Sequence, residues 1–235
     1  MNEIFLLGAF SVRVDDREVG PLSLGTQRLL TFLALHGRSA ARATIAGTMW
    51  PEASQERAGE SLRSALWRLE VPLRESILSE TGGLRLLDAV RVDFHEARAI
   101  VARLLGPVES LLETDLSQSA VASLSRELLP DWYDDWVLPV AEDWRQLRMN
   151  GLEAQSRLLI ARNRLAEAAS AARAAMNGEP LRESGHAALI RVHLAEGNQS
   201  EALRVFDRYR AMLRKDLQLE PSVHISALVA SLRRP

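Results

Sequence analysis

SQERAGESLRSALWRLEVPL, Ser54 to Leu73, decides the fold. Ala58, Leu62, Ala65, Leu66, Leu69 and Leu73 recur at three- and four-residue intervals, which places them on one face of a helix. Ser54 stands at the N-cap position. Arg57, rather than Glu, occupies the third helical position, so no capping box forms. Pro72 is expected to end or kink the helix. With the apolar stripe turned inward, Arg57, Ser61, Ser64, Trp67 and Arg68 face outward and Arg63 lies at the flank.

Toward the N-terminus, a short helix fits Ala43 to Met49, closed by Trp50-Pro51. Before it, Leu29, Leu30, Leu33 and Ala34 share a helical face and Gly37 follows as a stop. Apolar and polar residues alternate from Phe10 to Val19, with Asp15-Asp16 as a turn between two short strands. Toward the C-terminus, Ile77 to Ser79 and Leu84 to Leu87 flank Thr81-Gly82-Gly83 and read as a hairpin. Strands, three helices and a terminal hairpin make a winged helix-turn-helix.

From Phe94 onward, strand-like alternation gives way to leucine- and alanine-rich helices. ARNRLAEAASAARAAM, from Ala161, aligns with AEGNQSEALRVFDRYR, from Ala195, at an offset of 34 residues, with Glu167-Ala168 on Glu201-Ala202. A two-helix unit of that period is tetratricopeptide-like. The expected fold is mainly α: an α+β winged helix over residues 1–92, then an all-α helical-repeat domain over residues 93–235. The junction falls at Arg91 to Asp93.

Composition narrows the function. The sequence is 47% hydrophobic and 26% charged, ordinary for a folded globular protein. It has no cysteine, which removes disulfides and thiolate chemistry. No run approaches ~20 apolar residues, so no membrane partner is expected. MNEIFLLGAF lacks the basic start of a signal peptide, so the expected location is the cytoplasm. The net charge is −2, and residues 1–92 hold eleven arginines against eleven carboxylates, so any positive surface must be local. Lys215 is the only lysine. Arginine suits bidentate contact to guanine or phosphate, although a GC-rich genome produces the same bias.

Candidate DNA contacts follow from the helix of Ser54. Arg57, Arg63 and Arg68 can reach guanine edges or phosphates, and Ser64 is short enough to let the helix approach the groove. Trp67 could pack on a sugar-phosphate segment or be half-buried under the wing. Gln27 and Arg28 open the first helix, where free N–H groups could hold a phosphate or simply start the helix. Arg85 sits in the hairpin and could enter the minor groove or stay a solvated arginine. The plain alternative for the whole set is a solvated helix face.

Arg204 and Arg208, with Arg210 and Arg214, lie along one late helix and are candidates for partner binding. Asp131, Asp134 and Asp135 lack the Gly and closing Glu of a calcium loop. They are expected to sit at a helix–loop junction whose gap Trp132, Tyr133 and Trp136 fill. His186 and His193 are seven residues apart, too far for a zinc pair on one helix. No spacing supports a catalytic triad, so catalytic, cofactor and metal residues are all expected to be none, and the chain is not expected to be an enzyme.

Several stretches in order resemble the Streptomyces antibiotic regulatory protein family in its small form. These are GTQRLLTFLALH, MWPEASQERAGESLRSALWRL (Met49 to Leu69), GGLRLL followed by VDFHEA, PDWYDDWVLP (Pro130 to Pro139), and HLAEGNQSEALRVFDRYRAMLRKDLQLEPS (His193 to Ser222). The resemblance implies an OmpR-type winged helix joined to a bacterial transcriptional activator domain. It also implies binding to double-stranded promoter DNA and contact with RNA polymerase holoenzyme or another protein. A monomer, or a weak dimer that pairs on DNA, fits that role.

Some relatives carry an ATPase module, but this sequence contains no GxxxxGK[ST] loop. It also departs from the family where a basic run usually closes the recognition helix, since Leu69-Glu70-Val71-Pro72 stands there. That departure motivates a second reading, a protein-interaction adaptor whose winged helix binds DNA weakly.

Overall fold

A computed structural model describes residues 1–80 and 82–233. The chain forms two compact units. The first is Met1–Glu96 with Leu128–Ala141, and the second is Ala97–Glu127 with Glu142–Pro235.

The first unit opens with a sheet. β1 (Asn2–Phe5) pairs antiparallel with β2 (Ser11–Val14), β2 pairs antiparallel with β3 (Arg17–Glu18), and β1 pairs parallel with a later strand, Arg91–Val92. Asp15 and Asp16 both adopt positive φ, 48° and 62°, in the two-residue connection between β2 and β3. Aspartate tolerates that conformation, and a turn with both central residues left-handed matches the twist of the strands it joins.

α1 (Leu24–His36) starts one turn earlier than the sequence reading places it, because Ser23 caps it by accepting from Thr26 N. Gly37 ends it at φ 59°. α2 (Arg42–Met49) follows, then α3 (Gln55–Trp67), whose N-cap Ser54 accepts from Arg57 N at 3.4 Å. Ala58, Leu62 and Ala65 of α3 are buried, as its stripe requires.

Pro72 acts differently from expectation. α3 already ends at Trp67, and Pro72 lies in the first turn of a separate short helix, α4 (Val71–Glu75). The first turn is where the missing N–H costs nothing. Leu69 and Leu73 are still buried, but they come from outside α3.

The hairpin of β4 (Ile77–Glu80) and β5 (Gly83–Leu86) closes this unit. Thr81, in the predicted turn, lies outside the described residues. Leu84 and Ala40 exchange backbone hydrogen bonds of 2.9 and 3.0 Å, which ties the wing to the start of α2. That approach requires glycine at position 83. Its φ is 141°, and a Cβ there would lie 1.9 Å from the Ala40 carbonyl oxygen. β6 (Arg91–Val92) then joins the sheet and runs into α5 (Asp93–Leu105).

The composition change at 91–93 predicts a single crossing between halves, but residues 128–141 belong to the first unit. Leu128 bridges to Leu7, and Leu129 N donates to Leu6 O at 3.0 Å. Leu128, Leu129 and Val137 are buried. Trp132 packs on Phe10 with ring centroids 5.9 Å apart, and Trp136 on Phe32 at 5.6 Å. The aromatic-rich segment thus covers apolar surface on the first unit, as the gap-filling expectation required of Trp132 and Trp136. Tyr133 instead stays 80% exposed.

The second unit is helical. It contains α6 (Gln118–Leu124), α7 (Leu138–Ala161) from Glu142 onward, α8 (Leu165–Gly178), α9 (Glu183–Ala195), α10 (Gln199–Leu217) and α11 (Val223–Ala230). The 34-residue repeat is visible bond by bond. Asn163 and Gly197, 34 apart, both turn the chain at positive φ, 58° and 76°. Arg164 N donates to Leu159 O, and Asn198 N donates to His193 O one repeat later. Ala168 and Ala202 are fully buried where the paired helices meet.

A bidentate pair braces the loop before α6. Arg103 Nε and Nη2 donate to Asp115 at 2.8 and 2.6 Å. Burial pushes the Asp115 carboxyl up, but Arg103 and the Leu112 N–H outweigh it and hold it below the ordinary carboxylate range.

Candidate nucleic-acid interface

α3 presents the candidate site, because its cap and inward stripe fix which side chains face out. Arg57, Arg63, Ser64, Trp67 and Arg68 are exposed. Among the described residues, Arg57, Arg63 and Arg68 have no carboxylate partner. Two clefts flank the helix. One of about 720 Å³ lies against the start of α1 and includes Leu24, Gly25, Arg57, Ser64 and Arg68. The other, about 470 Å³, lies against α2 and includes Arg42, Gly47, Gly59 and Arg63. The small residues in both let a partner approach the backbone.

Trp67 is 78% exposed at the end of α3, so it is not tucked under the wing. Arg74 caps that end, donating to Trp67 O at 2.6 Å and Leu69 O at 2.8 Å. Glu70 is exposed at the N-cap of α4, so a carboxylate does follow Arg68 on the surface.

Three predicted contacts are engaged elsewhere. Arg28 does not present its charge to solvent at the start of α1. It forms an ion pair with Asp134, and both side chains are mostly covered. Gln27 Nε2 donates to Leu22 O at 2.8 Å, within its own turn. Arg85 lies in β5 with its charge matched by Asp88 at 3.1 Å and Glu80 at 3.4 Å. A paired, three-quarters-covered arginine is a poor minor-groove probe.

Arg42 was missed in the sequence. It sits at the first position of α2, lines the cleft with Arg63, and donates to Ser79 Oγ at 3.2 Å. Its place at the start of a short helix gave no periodic signal.

In the second unit, Arg204 pairs with Glu201 at 2.7 Å, Arg210 with Asp207 at 3.2 Å, and Arg214 with Glu220. Arg208 Nε donates to Arg204 O. The predicted partner-binding arginines of α10 therefore have local hydrogen-bond or charge partners. Among the described residues, no three His, Cys, Asp or Glu side chains converge as metal ligands. Of the three clustered aspartates, Asp134 is taken up by Arg28. Among the described residues, no helix is long and apolar enough to cross a membrane.

A winged helix followed in the same chain by a tetratricopeptide-like repeat is the architecture of a transcriptional regulator of the Streptomyces antibiotic regulatory protein type. The chain belongs to the bacterial transcriptional activator domain family, which residues 113–233 match. Its fold is similar to that of EmbR from Mycobacterium tuberculosis, solved in complex with a low-affinity phosphopeptide. The TM-score is 0.70 at 22% identity, over 100% of this chain and 66% of EmbR. The chain thus spans slightly less than two thirds of that structure's length. No curated protein matches the sequence.

Proposed function

We propose that the chain is a cytoplasmic, promoter-binding transcriptional activator. The winged unit, residues 1–92 with the strap at 128–141, would hold double-stranded DNA. The helical repeat within residues 93–235 would contact RNA polymerase holoenzyme or another protein. One observation carries the DNA half. The exposed face of α3 concentrates three arginines without a carboxylate partner among the described residues, while Arg28, Arg85 and Arg91 of the same unit are all paired. Unpaired cations on a helix that buries its other face are free to neutralise phosphates or read guanine.

The test is fluorescence anisotropy with an operator selected from random duplexes. Arg63→Ala and Arg68→Ala should each weaken binding by about 1–3 kcal/mol if they read bases. If both variants bind like the wild type, α3 is not the reading helix. A monomer that pairs on DNA would saturate at two chains on a site with two half-sites and at one on a single half-site.

Trp67 and Val71, 78% and 60% exposed beside Glu70, favour a second reading, in which this end of α3 docks a protein and the winged unit binds DNA weakly. Under that reading Trp67→Ala abolishes partner capture and leaves DNA affinity unchanged.

A further inference from the structure

Glu153, Ser156, Arg157 and Ile160 share one face of α7, and Ser184, Ala188 and Arg191 share one face of α9. Together they line a groove of about 420 Å³ within the second unit. The only carboxylate among these lining residues is already used. Glu153 accepts from Arg182 Nε at 3.0 Å and from Ser184 Oγ at 2.6 Å. Its two arginines are not matched in this way. Among the described residues Arg157 has no ion-pair partner, and Arg191 donates to His224 Nε2 at 3.0 Å, an uncharged lone pair. Both arginines are exposed. Ser156, fully buried in the groove lining, has a hydroxyl without a protein partner. Ile160 and Ala188 supply apolar surface between these polar groups.

We propose that this groove binds a partner protein's peptide segment in which a carboxylate side chain, held by Arg157 and Arg191, is flanked by apolar residues. Two guanidinium forks offer enough donors to saturate one carboxylate. The volume suits one or two side chains, and the exposed arginines suit a segment lying across the groove rather than an enclosed small molecule. This rests on the reading of the repeat as the protein-binding half, and it moves the contact from α10, where the arginines are locally satisfied, to α7 and α9.

The test uses the full chain and a labelled, end-capped nonapeptide with a central glutamate between leucines, compared with the same peptide carrying glutamine and with one carrying phosphoserine. The glutamate peptide should bind, and the glutamine peptide should bind at least tenfold more weakly. The double variant Arg157→Glu/Arg191→Glu should lose the glutamate peptide at least tenfold, whereas Arg204→Ala/Arg208→Ala should not change it. Circular dichroism checks that the variants fold, and Arg157→Gln/Arg191→Gln replaces the charge reversal if it unfolds the chain.

Absence of binding, equal binding of the glutamine peptide, retention by the double variant, or tighter binding of the phosphoserine peptide each overturns the proposal. Capture of RNA polymerase holoenzyme by the wild-type chain is measured separately. If it fails, the polymerase reading falls while the peptide measurements still decide the groove.

Discussion

Arg28 on α1 forms an ion pair with Asp134 on the segment that returns to the first unit, and the two side chains are only 19% and 21% exposed. The pair couples residues more than a hundred positions apart. Two residues further along the same segment, the ring of Trp136 packs on Phe32 of α1. Removing one partner of a covered pair leaves an uncompensated charge, which costs more than an exposed bridge is worth.

Asp134→Ala should therefore destabilise the first unit by about 1–3 kcal/mol. A fragment of residues 1–92 should fare worse, because it also lacks Leu128, Leu129, Trp132 and Trp136, which cover the unit's apolar surface. Urea titration of the full chain and of the fragment checks both. A fragment with a cooperative transition at the same midpoint would show that the strap is dispensable.

Glu70→Arg should tighten binding to arbitrary duplex DNA and steepen its salt dependence. An exposed carboxylate next to Arg68 would become a cation that displaces a counterion from DNA. The slope of log affinity against log salt is the measurement, and an unchanged slope would place Glu70 away from the phosphates.

Gly83→Ala should cost about 2 kcal/mol or more, because the new Cβ would meet the Ala40 carbonyl and the φ of 141° suits only glycine. Gly82→Ala should be nearly neutral, since its nearest neighbour is the Ser39 hydroxyl at 3.9 Å. Thermal unfolding of the two variants separates a specific clash from a general intolerance of the wing.

The second unit should weaken in mild acid. His186 is buried against Tyr209, with ring centroids 4.3 Å apart, and Nε2 lies 2.8 Å from Pro180 O. Burial first, and Arg208 after it, hold the imidazole below its ordinary value, while the Pro180 carbonyl and Glu183 oppose them. The unfolded chain therefore takes up the proton more readily than the fold does. Stability is complete above the unfolded value near ~6.5 and is lost as pH falls from there toward the folded value. Melting temperature should drop between pH 7.5 and 5.5, and His186→Gln should flatten that dependence. An equally steep wild-type and variant profile would assign the acid sensitivity to other groups.

Much of the fold was legible because its signals are local. The caps at Ser54 and Gly37, the Asp15-Asp16 turn, the α3 stripe and the 34-residue repeat all arise from interactions within a few residues or from self-similarity, and both are written in spacing. The outward face of α3 followed from that stripe alone. Tertiary structure decided which charges are free. Arg28 and Arg85 look as available in the sequence as Arg63 and Arg68 do, but chain return brings Asp134 to one, and strand geometry brings Glu80 and Asp88 to the other. The same holds for the strap at 128–141, for Gly83 against Ala40, and for the groove that gathers Arg157 and Arg191. A side chain's periodicity determines which way it points, whereas its electrostatic state depends on what the rest of the chain folds against it.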